Sequence, residues 1–143
     1  MSLQQVLDQV PFIRHLGVQV EDYAPGRVVL ALSTEPSAAN HVGTMHAGAI
    51  FALAETAASA ACATHEDLLG LRLRARGADI RFRQSASGRV TAHAEITDEM
   101  AAAVVEELAR AGKAELIVPV EILDGRGATV ARVTGRYGFR AVG

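Results

Sequence analysis

Hydrophobic positions along the chain follow helical, alternating or continuous spacing, and each pattern predicts a different element. In SLQQVLDQV, Leu3, Val6, Leu7 and Val10 recur at helical intervals behind Ser2, a capping residue type. A short amphipathic helix is expected there, ended by Pro11. GVQVEDY and RVVLALST read as strands, and the APG between them is a turn signal, so the pair forms a hairpin. The polar stretch SAANHVGTMH is a loop, and AGAIFALAETAASAACATH after it is the main helix. EDLLGLRLRARG fits no single period; GADIRFRQ and RVTAHAEIT alternate as strands across an SASG turn. In TDEMAAAVVEELARAGK, Thr97 or Asp98 can cap, acids crowd the first turn and Gly112 follows the end, which predicts a second helix over about 98–112. KAELIVPVEIL and ATVARVTGRYGFRAV are long strands joined by DGRG, a hairpin turn.

The order is helix, two strands, a long apolar helix, then four strands with one helix inserted. Strands joined by tight turns imply a mostly antiparallel sheet, giving the α+β class. A helix apolar on every side must be wrapped rather than laid on a surface. A curved antiparallel sheet folded around one long central helix meets both demands. Such a sheet leaves open edges, which predicts pairing with a second subunit.

Composition narrows this picture. The chain has 143 residues, half of them hydrophobic, which suits one domain over 1–143 with a sizeable core. A net charge of -2 offers no basic excess to neutralise phosphates, so nucleic acid is not the expected partner. A single cysteine, Cys62, excludes an intramolecular disulfide and fits a reducing compartment; on an apolar helix it reads as a small buried hydrophobe. The N-terminal stretch lacks a basic segment followed by an apolar core, and the longest apolar run, 47–64, is short for a membrane span and interrupted by a charge. A soluble cytoplasmic protein with no membrane partner is expected. His15, His65 and His93 are scattered without metal-ligand spacing, so neither metal nor cofactor is predicted.

The interrupting charge is Glu55, in the middle of the apolar helix. An unpaired buried carboxylate costs several kcal/mol or neutralises itself. Glu55 must therefore face water, be paired, or serve chemistry.

NHVGTMHAGAIFALAETA, together with the order of elements, resembles the hotdog-fold acyl-CoA thioesterases of the phenylacetate-pathway type. Their pattern is an Asn or Gln, then G-x-x-H-G-G, then a helix with an acid in L-A-[DE]-x-A. Asn40, Gly43, His46, Gly48 and Glu55 occupy those places. IRFRQSA and DGRGATVARVTGRY are similar to that family's I-x-Y-x-R-P-A strand and closing hairpin, so the resemblance spans roughly 16–139. The helix at 98–112 is longer than the family's usual connection, as in a divergent branch.

The resemblance implies hydrolysis of an acyl-CoA to free acid and coenzyme A. Glu55 would be nucleophile or general base. The amide of Ala47, at the helix N-terminus after His46, would bind the thioester oxygen. Ala47 stands where the family writes Gly, and a left-handed backbone there would strain it. Asn40 would hydrogen-bond the attacking water or the carboxylate. Ser59, one turn after Glu55, would orient one of them. His46 and Gly48 would shape the loop around the substrate, and Arg76 and Gly77 stand where some members carry Ser or Thr. Arg81 and Arg83, on one face of their strand, suit the phosphates of coenzyme A. Phe12, Leu16, Phe51 and Leu53 are candidates for the acyl pocket. Glu55 lies ~12 Å along the helix from Ala47, so the resemblance implies a site split between two subunits of a dimer or tetramer.

Two other readings fit. Hotdog dehydratases acting on 3-hydroxyacyl thioesters pair a loop His with a helix Glu, and His41 and Glu55 have about that separation, though without the flanking prolines. A non-catalytic acyl-CoA-binding protein would keep the loop and helix without turnover. Asn40 also fits a simple turn residue, and the arginines fit a solvated sheet face.

Overall fold

The computed structural model describes residues 1–142. Among them, six strands form one antiparallel sheet in the order β1-β2-β4-β5-β6-β3. These are β1 (Gln19–Ala24), β2 (Arg27–Ser33), β3 (Arg72–Phe82), β4 (Arg89–Glu95), β5 (Lys113–Leu123) and β6 (Thr129–Arg140). The helices are α1 (Leu3–Leu7), α2 (Pro11–Leu16), α3 (Ala47–Thr64) and α4 (Asp98–Ala111). The expected order holds, with two differences. Pro11 does not simply end the first helix; it opens α2 at the first helical position, where its missing N–H costs nothing. The ambiguous segment EDLLGLRLRARG divides: Glu66–Leu68 is a single 3-10 turn, and strand begins at Arg72, so β3 runs for 11 residues.

The sheet curls around α3 because its inward positions are apolar and its strands carry bulges. β5 alternates exposed and buried residues almost without exception, pointing Leu116, Val118, Val120 and Ile122 inward. Register shifts at Val20/Asp22, Ala75/Gly77 and Ile122/Leu123 add twist. Along α3, Ala52, Leu53, Ala54, Ala57, Ala58, Ala61 and Cys62 are buried, and the many alanines let the strands approach closely. By length and composition this helix would pass for a membrane span, but here the sheet is the partner of its apolar surface. β1 and β3 are the open edges, and β3 is the longer.

The far end of α3 is tied to the rest by polar contacts. Gly26, in the β1–β2 turn, donates its N–H to the Thr64 hydroxyl at 3.1 Å. Buried His65 accepts from the Asp67 N–H and places its other ring nitrogen 2.9 Å from Asp98 at the start of α4. Its imidazole lies against Gly26, where an added Cβ would sit 2.8 Å from the ring and 3.1 Å from the Ile96 carbonyl. Gly26 also has φ +81. Gly26→Ala should therefore destabilise the protein by about 2 kcal/mol or more, read as a lower urea midpoint at unchanged slope.

Candidate active site

Glu55 is half-buried on α3 and is held by two hydroxyls that meet the same carboxylate oxygen. Ser59, one turn on, donates to Oε2 in a short hydrogen bond, and the Tyr137 hydroxyl donates to Oε2 at 3.1 Å. Oε1 accepts no hydrogen bond from the described residues. Among the described residues the charge in the apolar helix is thus not ion-paired: one oxygen is anchored by two hydroxyls and the other has no hydrogen-bond partner.

Tyr137 is a site residue the sequence reading did not single out. It sits at an inward position of β6, and its ring covers Gly135, where a Cβ would lie 2.7 Å from the ring. The available signal was the alternation of TVARVTGRYGFR, which turns a phenol into the core, where a hydroxyl seeks a partner. Burial, and then the neighbouring Glu55 charge, push the Tyr137 phenol well above its ordinary range, so it stays protonated and can keep donating. The same two causes push the Cys62 thiol up to about 12. An aromatic disulfide reagent at pH 8 should therefore leave Cys62 of the folded protein unlabelled and modify it fully in denaturant, as followed by absorbance.

Two cavities meet at Glu55. The smaller, about 140 Å³, lies beneath β3 and β6 and is lined by Phe51, Ala54, Ala58, Gly77, Ala78 and Tyr137 among others. Gly77 thus lines the same cavity as Glu55, and a Cβ on it would collide with the Arg136 guanidinium. The larger, about 550 Å³, opens between α3 and the N-terminal helices. Phe51 and Phe12 each line one of these cavities, whereas Leu53 and Leu16 are packed in the core.

The loop residues gather at the other end of α3. His46 caps the helix: its Nδ1 accepts the Gly48 N–H at 2.8 Å. A Cβ on Gly48 would lie 3.1 Å from that nitrogen, so glycine lets the ring close over the turn. Ala47, between them, is the first helical residue, and its N–H has no hydrogen-bond partner among the described residues. Among the described residues no non-glycine has positive φ, so alanine sits there without the strain a left-handed backbone would impose. Asn40 organises the loop: its Oδ1 accepts from Val42 and Thr44, and its Nδ2 donates to the Thr44 hydroxyl. One Asn40 amide hydrogen remains. Within one chain, Asn40, His46, Ala47 and Gly48 are not brought to Glu55.

The arginines also divide. Arg76 joins Arg72, Arg74, Lys113 and Arg140 around a cationic groove of about 730 Å³, with Glu107 and Glu115 on its walls. Arg81 is paired with Asp79 at 3.0 Å, and Arg83 falls just past the end of β3, so neither lines this groove.

An antiparallel sheet curled around one long helix, with a carboxylate on that helix, is the hotdog fold of thioesterases, and solved structures agree. A Pseudomonas aeruginosa protein of unknown function, described as a probable thioesterase, is 28% identical; the match covers 97% of this chain and 93% of that one at a TM-score of 0.89. A mutant of the phenylacetic acid degradation protein PaaI from Thermus thermophilus is 25% identical over 91% of this chain and 98% of its own, at 0.68. A mutant thioesterase from Staphylococcus aureus, at 22% identity, 92% and 99% coverage and 0.74, shares the fold. The resemblance to phenylacetate-type hotdog thioesterases is therefore met in structure. More narrowly, the chain belongs to the family described as a domain of unknown function, DUF4442, whose model matches residues 2–137. No curated protein matches it. At the level of the fold family, the names of its neighbours point to thioester hydrolysis.

Proposed function

We propose that the protein is a cytoplasmic acyl-CoA thioesterase that acts as a homo-oligomer, each chain contributing one domain. The observation that carries this reading is the Glu55 carboxylate, anchored by Ser59 and Tyr137 through one oxygen, on a residue that lines a cavity. Through Oε1, Glu55 takes a proton from water as that water attacks the thioester carbonyl. The tetrahedral intermediate then expels the thiolate, which receives the proton, leaving carboxylic acid and free coenzyme A. Direct attack by Glu55, followed by hydrolysis of the resulting anhydride, uses the same geometry.

The carbonyl oxygen needs a donor while it carries negative charge. The unpartnered Ala47 N–H, at the positive end of α3, suits that role. It lies eight residues from Glu55, ~12 Å along the helix, so the donor is supplied by a partner copy. The long unpaired edge of β3, with Ala75 and Ala78 exposed, offers a surface on which such a copy can dock. Asn40 holds the loop in shape, and its remaining amide hydrogen is available to the water. His46 and Gly48 fix the helix start, Gly77 leaves room beside the thioester, and Arg76 meets coenzyme A phosphate, with Arg81 and Arg83 as outlying cations.

A panel of acyl-CoA thioesters with thiol release as readout tests the proposal. Turnover of at least one member is expected, and hydrolysis of none overturns it. His41 is exposed in the loop. Hydration of an enoyl-CoA without thiol release, followed by loss of its conjugated absorbance and abolished in His41→Ala, would move the reading to the dehydratase.

A further inference from the structure

The larger cavity has one wall on the central helix and the other on the N-terminal helices. Glu55, Ser59, Ala60 and Ala63 line it from α3; Leu3, Val6, Val10 and Phe12 face them. It adjoins the candidate site, because Glu55 borders both cavities. The facing wall is apolar yet open: Val6, Val10 and Phe12 are 46%, 47% and 59% exposed. Two hydroxyls along the groove are already spent, since Thr56 and Thr64 donate to the Ala52 and Ala60 carbonyls at 2.6 and 2.7 Å. A peptide segment lying there would leave backbone groups unpaired, whereas a hydrocarbon would not.

The wall is also fixed in place. Gln4 accepts the Val20 N–H at 2.7 Å and donates to the Val18 carbonyl at 3.0 Å, pinning α1 to the start of β1. A Gln4–Asp8 bond at 3.1 Å braces the same turn. The groove is thus a pinned channel that starts at a carboxylate and runs toward Ala63.

We infer that this groove takes the acyl chain of the substrate, and that the chain is a straight aliphatic one of medium length. This rests on the thioesterase reading above. From Glu55 to Ala63 is eight residues of helix, ~12 Å. A zigzag of ~1.5 Å carbon bonds advances ~1.25 Å per carbon, so about ten carbons fill that length. A flat aromatic acyl group would reach only the start of it.

The test is kcat/KM for straight-chain acyl-CoA from butyryl to palmitoyl, beside phenylacetyl-CoA. Each methylene buried in the groove should raise kcat/KM about fourfold, up to about ten carbons, and then no further. Ala63→Trp, at an exposed helix position, blocks the far end; the decanoyl-to-butyryl ratio should fall at least tenfold and the optimum should shorten. Val6→Trp should do the same from the facing wall, so the result does not hang on one variant. A profile flat in chain length, a preference for phenylacetyl-CoA, or an unchanged ratio in both variants overturns the inference. So does a fall in oligomer mass in both variants, which would make the groove a contact between copies. If wild type hydrolyses no thioester, the hydrolase reading fails by itself. Calorimetry with decanoate then decides the groove: binding lost in Ala63→Trp supports it, and no binding to wild type overturns it.

Discussion

Glu55→Gln is expected to lower kcat by about a thousandfold, in the middle of the range for removing a positioned general base. The substitution keeps the shape of the side chain and an oxygen acceptor for the Ser59 and Tyr137 hydroxyls, so the site should stay assembled. What it removes is the ability to take a proton or to attack as an anion. Stability should hold or rise slightly, because a half-buried charge is replaced by a neutral amide. Activity and stability should thus move independently, which a purely structural carboxylate would not allow. Thiol release and thermal unfolding on the same preparation measure both. A Glu55→Gln enzyme as fast as wild type removes Glu55 from the chemistry. Single turnover in labelled water then tests direct attack: a water oxygen found in the Glu55 side chain requires an anhydride opened at the Glu55 carbonyl, whereas the general-base route puts it only in the product.

Much of the fold was legible because its elements carry local signals. The alternation of 113–123 gives β5 to the residue, and the apolar run behind His46 gives α3. Thr97 caps α4 and Gly112 ends it with φ +76, as their residue types suggest. What escaped is what no local pattern encodes. Tyr137 is 82 residues from Glu55, and only the curl of the sheet brings them together. Pro11 has the same sequence signature whether it ends one helix or opens the next; the choice falls to burial of Ile13 and Leu16. In the sequence, the alanine of His46-Ala47-Gly48 is strained only if a left-handed backbone is needed there. Backbone angles decide that, and α3 begins at Ala47 with no positive φ to accommodate.

That geometry sets up the second large effect. Ala47→Pro removes the N–H proposed to hold the carbonyl oxygen and little else. Proline is favoured at the first helical position, and the preceding residue, His46, already has φ -63 and ψ 138, the extended conformation that proline requires before it. The lost N–H bonds nothing among the described residues. Folding should therefore be unimpaired, while kcat falls about a hundredfold or more, the usual cost of one oxyanion donor. The split site makes a sharper demand. When Glu55→Gln and Ala47→Pro chains are unfolded together and refolded, half of the symmetric dimers are mixed. Each mixed dimer holds one site with Glu55 from one chain and the Ala47 amide from the other. The mixture should recover about a quarter of wild-type activity, although each variant alone is nearly inactive. If both halves of the site came from the same chain, mixing would restore nothing. The outcome therefore distinguishes a shared site from two independent ones, even before any partner contact is seen.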